Sequence, residues 1–213
     1  MTGAYSIFTP PLFVFACAAC FAGTVFGDND RDSHVALGLE CDSTQLTTTG
    51  QCTLSSGPVS FQLHATETGS LNTLTLATRG LEHDAGPDSI ELDGSAYRAQ
   101  LADLDGNGWP EVYVYVSSAG SGSYGSLVAY AVNNGKSATP IYLPPLDVDA
   151  REHAGYQGHD VFHVAESRLI RRYPIYLDGD TNAQASGGTR QVEYRLVAGE
   201  AGWVLAVDRI AEF

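Results

Sequence analysis

The feature that most constrains the fold is a succession of short runs rich in Val, Tyr, Leu and Ile, each cut off by a turn cluster. The runs are "VSFQLHAT", "TLTLAT", "YRAQLADL", "EVYVYVSS", "SLVAYAVN", "TPIYLP", "DVFHVAES", "LIRRYPIYL", "RQVEYRLVA" and "GWVLAVDRI". Between them stand "DLDGNG", "NNGK", "DGDTNAQASGG" and "GEAG". Strands at such spacing predict an all-β chain, an antiparallel β-sandwich or partly open barrel with long hairpin loops. In "RQVEYRLV", Val192, Tyr194 and Leu196 share one face and Gln191, Glu193 and Arg195 the other, the pattern of a half-buried strand. "EVYVYV" alternates valine with tyrosine, so both its faces are expected to be covered. Only residues 146–155, "LDVDAREHAG", read as a helical turn or two. A single β domain over residues 35–213 follows, with no repeat and no internal linker.

The stretch "SAGSGSYGS", residues 118–126, contains Gly120-x-Gly122-x-x-Gly125. A dinucleotide fingerprint of this form needs a strand before it and a helix after it. "EVYVYV" supplies the strand, but "SLVAYAV" followed by "NNGK" is a second strand and a turn. The glycines therefore belong to a hairpin tip. Two to five residues suffice to turn a hairpin, so this tip is long. Its hydroxyls and one amphipathic ring suit entry into a polar cleft. A mobile loop with Tyr124 folded back on the sheet fits the same residues.

"DLDGNGWPE" places Asp103, Asp105, Asn107 and Glu111 at positions 1, 3, 5 and 9 of a calcium-type loop, with Gly108 at position 6. Position 12 is Val114, where a bidentate Glu belongs. Counted this way the segment reads as a turn, calcium is expected to change stability little, and no metal ligand or cofactor is assigned. His153, His159 and His163 lack a zinc spacing. A triad from Ser121 or Ser123 with His159 and Asp160 lacks the G-x-S-x-G elbow. No catalytic residue is assigned.

The formal net charge is −14, and Lys136 is the only lysine. Such a surface repels nucleic acid and anionic lipid and attracts basic partners. Residues 1–27 hold "PLFVFACAACFAG", an uncharged apolar run too short to span a bilayer comfortably, and read as a signal peptide. Residues 28–34 read as a mobile arm. A periplasmic or secreted chain follows, a lipid anchor at Cys17 or Cys20 being the weaker reading. Removal of the leader would leave Cys41 and Cys52, an even pair expected to form a disulfide across a surface loop or hairpin.

From about Tyr97 to Arg209, "ADLDGNGWPEVYVYVSSAGSGSYGSLVAYAVNNGKS", "IYLPPL", "GYQGHDVFHV", "RRYPIY" and "GGTRQVEYRL" follow in an order that resembles the bacterial periplasmic inhibitors of invertebrate-type lysozyme. The resemblance implies an exported, often homodimeric β protein that is not an enzyme. It blocks the lysozyme cleft with a Ser-Gly-x-Tyr loop, matched here by Ser121, Gly122, Ser123 and Tyr124. Tyr156, His159 and Asp160 are the expected flanking loop. The N-terminal third, with Cys41 and Cys52, carries no part of the likeness. Two other classes stay open: a calcium-binding exported adhesion module and a cell-wall hydrolase.

Overall fold

A computed structural model describes residues 36–47, 52–68, 71–147 and 149–213. The chain divides into two units, Met1–Asp30 and Arg31–Phe213, and every described residue lies in the second. The expected signal peptide and arm lie outside the described residues.

The strands are β1 (Ala36–Asp42), β2 (Cys52–Ser56), β3 (Val59–Thr68), β4 (Leu71–Arg79), β5 (Asp88–Leu92), β6 (Ser95–Ala102), β7 (Glu111–Ser117), β8 (Gly125–Asn133), β9 (Ser137–Tyr142), β10 (Val161–Ala165), β11 (Arg168–Pro174), β12 (Thr189–Ala198) and β13 (Trp203–Glu212). They build a nine-stranded sheet, β1-β6-β7-β8-β9-β13-β12-β11-β10, and a four-stranded sheet, β2-β3-β4-β5. The all-β expectation holds. Pairing is antiparallel throughout except between β9 and β13, which run parallel through Ile141 with Trp203 and Tyr142 with Val204. That short parallel seam joins two antiparallel meanders into one sheet.

β7 shows why the sequence selects this architecture. Its residues Glu111 to Val116 are all buried. Val112, Val114 and Val116 enter a core shared with Leu54, Phe61, Leu63, Leu74 and Leu76 of the small sheet. Tyr113 and Tyr115 enter a second core with Phe162, Tyr173, Val192 and Tyr194. The period-two alternation thus sends one set of side chains between the two sheets and the other into the concavity of the large sheet. The large sheet curls far enough for Arg98 of β6 to donate to the Phe162 carbonyl of β10 at 2.6 Å, although these strands stand near opposite ends of the strand order. The fold combines a sandwich with a half-barrel.

Cys41 and Cys52 form the expected disulfide. It does not close a hairpin. β1 pairs with β6 in the large sheet and β2 with β3 in the small one, so the bond staples the two sheets together. Between them lies a short helix, α1 (Ser43–Thr47), whose Leu46 is wholly buried. In β12 part of the polar face is buried too: Arg195 is exposed, but Gln191 and Glu193 are buried and accept from Arg172 and Arg209 at 2.6 and 2.5 Å. Within residues 146–155 the regular turn is 3-10, Arg151–His153. No helix among the described residues is long and apolar enough to cross a membrane.

Candidate functional site

The tip joins β7 to β8, so a strand and not a helix follows Gly125. Its base is tied twice: the Ser118 N–H donates to the Tyr124 carbonyl at 2.8 Å, and the Tyr124 N–H donates to Ser118 Oγ at 2.9 Å. Within the tip, the Ser123 N–H donates to the Gly120 carbonyl at 3.3 Å. Ser123 takes φ +41°, a left-handed conformation uncommon for a side-chain-bearing residue. Ser121 and Tyr124 face solvent, with Tyr124 half exposed, and Ser123 is half-buried.

Two neighbouring loops grip the tip from outside. The His159 N–H donates to the Gly122 carbonyl at 2.7 Å. Asn182 Nδ2 donates to the Ser121 carbonyl at 2.7 Å, and the Asn182 Oδ1 lies 3.3 Å from His159 Nε2. Asn182 is placed in turn by the Tyr176 hydroxyl, which donates to its carbonyl at 2.9 Å. Gly158 has to be glycine here. Its φ is +92°, and a Cβ there would stand 2.1 Å from the Gly122 carbonyl oxygen. The Tyr124 ring meets the edge of Tyr156, their centres 5.6 Å apart and planes at 74°. The tip is therefore held in one shape, with Tyr124 leaning on Tyr156 and half its surface still presented outward.

Beneath the tip sits a buried charged hub. Asp160 Oδ2 accepts from the Gly125 N–H at 2.7 Å and from the Tyr156 hydroxyl at 2.6 Å. Asp160 Oδ1 accepts from Arg171 Nε at 2.6 Å, and Arg171 Nη2 donates to the Tyr156 oxygen at 2.8 Å. The Asp160 side chain is fully buried and that of Arg171 nearly so. The Arg171 guanidinium also lies 5.1 Å from the Tyr156 ring centre and 5.3 Å from that of Phe162. Burial, then the Asp160 carboxylate, push the Tyr156 phenol well above its ordinary range and keep it a donor. Gly125 permits this approach, since a Cβ there would come within 2.5 Å of the Asp160 Cβ.

The structure thus gathers Ser121, Gly122, Ser123, Tyr124, Tyr156, His159 and Asp160 into one neighbourhood, with divided roles. Ser121 and Tyr124 present surface. His159 braces the tip through its main chain, and Asp160 and Tyr156 anchor it from below. The serine triad does not form among the described residues: Asp160 bonds to Arg171, Tyr156 and Gly125, and the His159 ring to Asn182. Sequence reasoning missed Arg171, Gly158 and Asn182. Arg171 had a signal, because it alternates with Leu169 and Tyr173 on an inward face and so requires a buried anion.

At the other end of β7, the carboxylate loop is ordered by its own side chains. Asp103 accepts from the Asn107 and Gly108 N–H groups at 3.0 and 2.9 Å, and Asp105 from the Asn107 N–H at 3.1 Å. Gly106 and Gly108 supply φ of +70° and +82°. Glu111 is buried, its Oε2 accepting from the Leu104 N–H at 2.7 Å. Burial first, then the charges of Asp105 and Asp103, push its carboxyl up to about 8.

Comparison with protein-family models, with curated proteins and with solved structures finds no match to this chain.

Proposed function

We propose that this chain is an exported, periplasmic or secreted, protein inhibitor of invertebrate-type lysozyme that plugs the enzyme's cleft with Ser121–Tyr124. The observation that carries the reading is the braced tip. A Gly/Ser-rich loop costs entropy when a partner orders it, and here His159, Asn182 and the Asp160 hub have already ordered it. Half of the Tyr124 surface stays outward, where an amphipathic ring can fill a sugar subsite. The exposed Ser121 hydroxyl can donate to a cleft carboxylate, the group on which glycoside hydrolysis depends. Reversible binding is expected, since the ring of His159, the neighbouring histidine, is bonded to Asn182.

The charge of −14 supports the same partner, since an acidic protein is steered toward a cationic enzyme. The resemblance over residues 97–209 agrees, and brings with it a homodimer that sizing would measure. The test is inhibition of invertebrate-, chicken- and goose-type lysozymes by the purified chain. Selective inhibition of the invertebrate type is expected. Failure to inhibit or retain any of the three ends the proposal.

A further inference from the structure

Residues 103–111 combine features that the lysozyme reading does not use. Asp103, Asp105 and Glu111 bring one carboxylate oxygen each to within 4.8 Å of the others. Glu111 is 1% exposed, and no cationic side chain among the described residues pairs with it. Its Oε2 accepts from the Leu104 N–H at 2.7 Å. A buried carboxylate without a counter-charge, beside two more carboxylates, is costly.

A second buried group points to the same place. Tyr113 follows Glu111 by two residues on β7 and so rises from the same face. Its side chain is wholly buried, and its hydroxyl has no hydrogen-bond partner among the described residues. Buried polar groups are almost always partnered, and this orphan shares a strand face with the uncompensated Glu111.

We propose that Asp103, Asp105 and Glu111 hold a divalent cation, with calcium the preferred occupant. The donors are hard carboxylate oxygens, which exclude a soft-metal preference. Asn107 and Trp109 fall at the fifth and seventh positions, where a calcium loop takes a side-chain and a main-chain oxygen. The chain enters β7 at Glu111, which puts Val114, the twelfth position, in the core between the sheets. Glu111, at the ninth position, closes the site in its stead. That is what ligand counting to the twelfth position could not register. The cation would tie the β6–β7 connection at the end of β7 remote from the tip. It is a structural ion, separate from the inhibitory surface.

The purified protein, stripped with chelator and dialysed, is titrated with calcium chloride by calorimetry and by thermal melting. One saturable site is expected, with a rise in melting temperature of about 5–10 °C when calcium stands near a hundred times its dissociation constant. Magnesium should act more weakly. Terbium should show luminescence sensitised by Trp109 and competed by calcium. The Asp103→Asn/Asp105→Asn variant changes only the loop. It should fold, lose the heat and the melting shift, and lose terbium emission. Absence of heat and of any melting shift in stripped wild type at 5 mM calcium overturns the proposal, as does equal binding by the variant. None of these readouts involves lysozyme, so the two proposals fail separately.

Discussion

Gly158→Ala tests whether the tip is held by its neighbours, because it alters no side chain that a partner could touch. The added Cβ would sit 2.1 Å from the Gly122 carbonyl oxygen, where ordinary contact begins at 3.4 Å. The two loops must part by more than 1 Å, and the 2.7 Å bond from the His159 N–H to that same oxygen cannot survive the displacement. The φ of +92° adds a left-handed penalty of about 1–2 kcal/mol for a residue bearing a Cβ. Overpacking adds about 1–3 kcal/mol. Denaturant unfolding should therefore show a loss of roughly 2–5 kcal/mol, less if the tip swings away freely. In a lysozyme assay below the unfolding transition, the folded variant should inhibit at least roughly tenfold more weakly, since misplaced anchors lose most of their contact. A variant with unchanged stability and unchanged inhibition would show that the 158–159 segment does not brace the tip.

Further expectations concern the supports of the fold. Asp160→Ala would leave the Arg171 guanidinium buried without its anion and strip acceptors from Gly125 and Tyr156; denaturant curves should show a loss of about 3–5 kcal/mol, and a loss below 1 kcal/mol would contradict the hub. Reducing Cys41–Cys52, an 11-residue separation, should cost roughly 2–3 kcal/mol in the chain-entropy model, read by melting with and without reductant; intact masses should differ by two hydrogens. Asp180, Glu193 and Glu212 have carboxyls held below their ordinary range, by the Leu177 N–H, by Arg209 and by Arg151 respectively. A depressed folded pKa contributes stability above the unfolded value and loses it as pH falls through the folded one. The melting temperature should therefore drop between about pH 4 and pH 2. A flat profile there would show that these pairs do not differ from the unfolded chain.

Much of this architecture was legible because period-two patterning is local. "EVYVYV" announced two covered faces, and the structure fills one with the small sheet and the other with β10–β13 residues. β5, "DSIEL", escaped notice because an edge strand carries polar residues on an apolar minimum. α1 escaped because one buried residue, Leu46, gives no helical period. The parallel seam of β9 and β13 rests on two residue pairs far apart in sequence, and no local pattern encodes it. The nine-residue stretch that carries Ser121 and Tyr124 was visible as a long Gly/Ser tip, but its bracing was not. That depends on Asn182 and Gly158, residues whose types alone indicate only turns.

The most direct measurement is the inhibition constant of an invertebrate-type lysozyme for the wild-type chain, for Tyr124→Ala, and for the Ser121→Ala/Tyr124→Ala variant. Both side chains are exposed, so both variants should fold as wild type does. A central aromatic anchor commonly costs about 2 kcal/mol or more when truncated. Tyr124→Ala should weaken inhibition at least roughly tenfold, and the double variant further. Equal potency of wild type and a folded double variant would place the interface elsewhere on the chain.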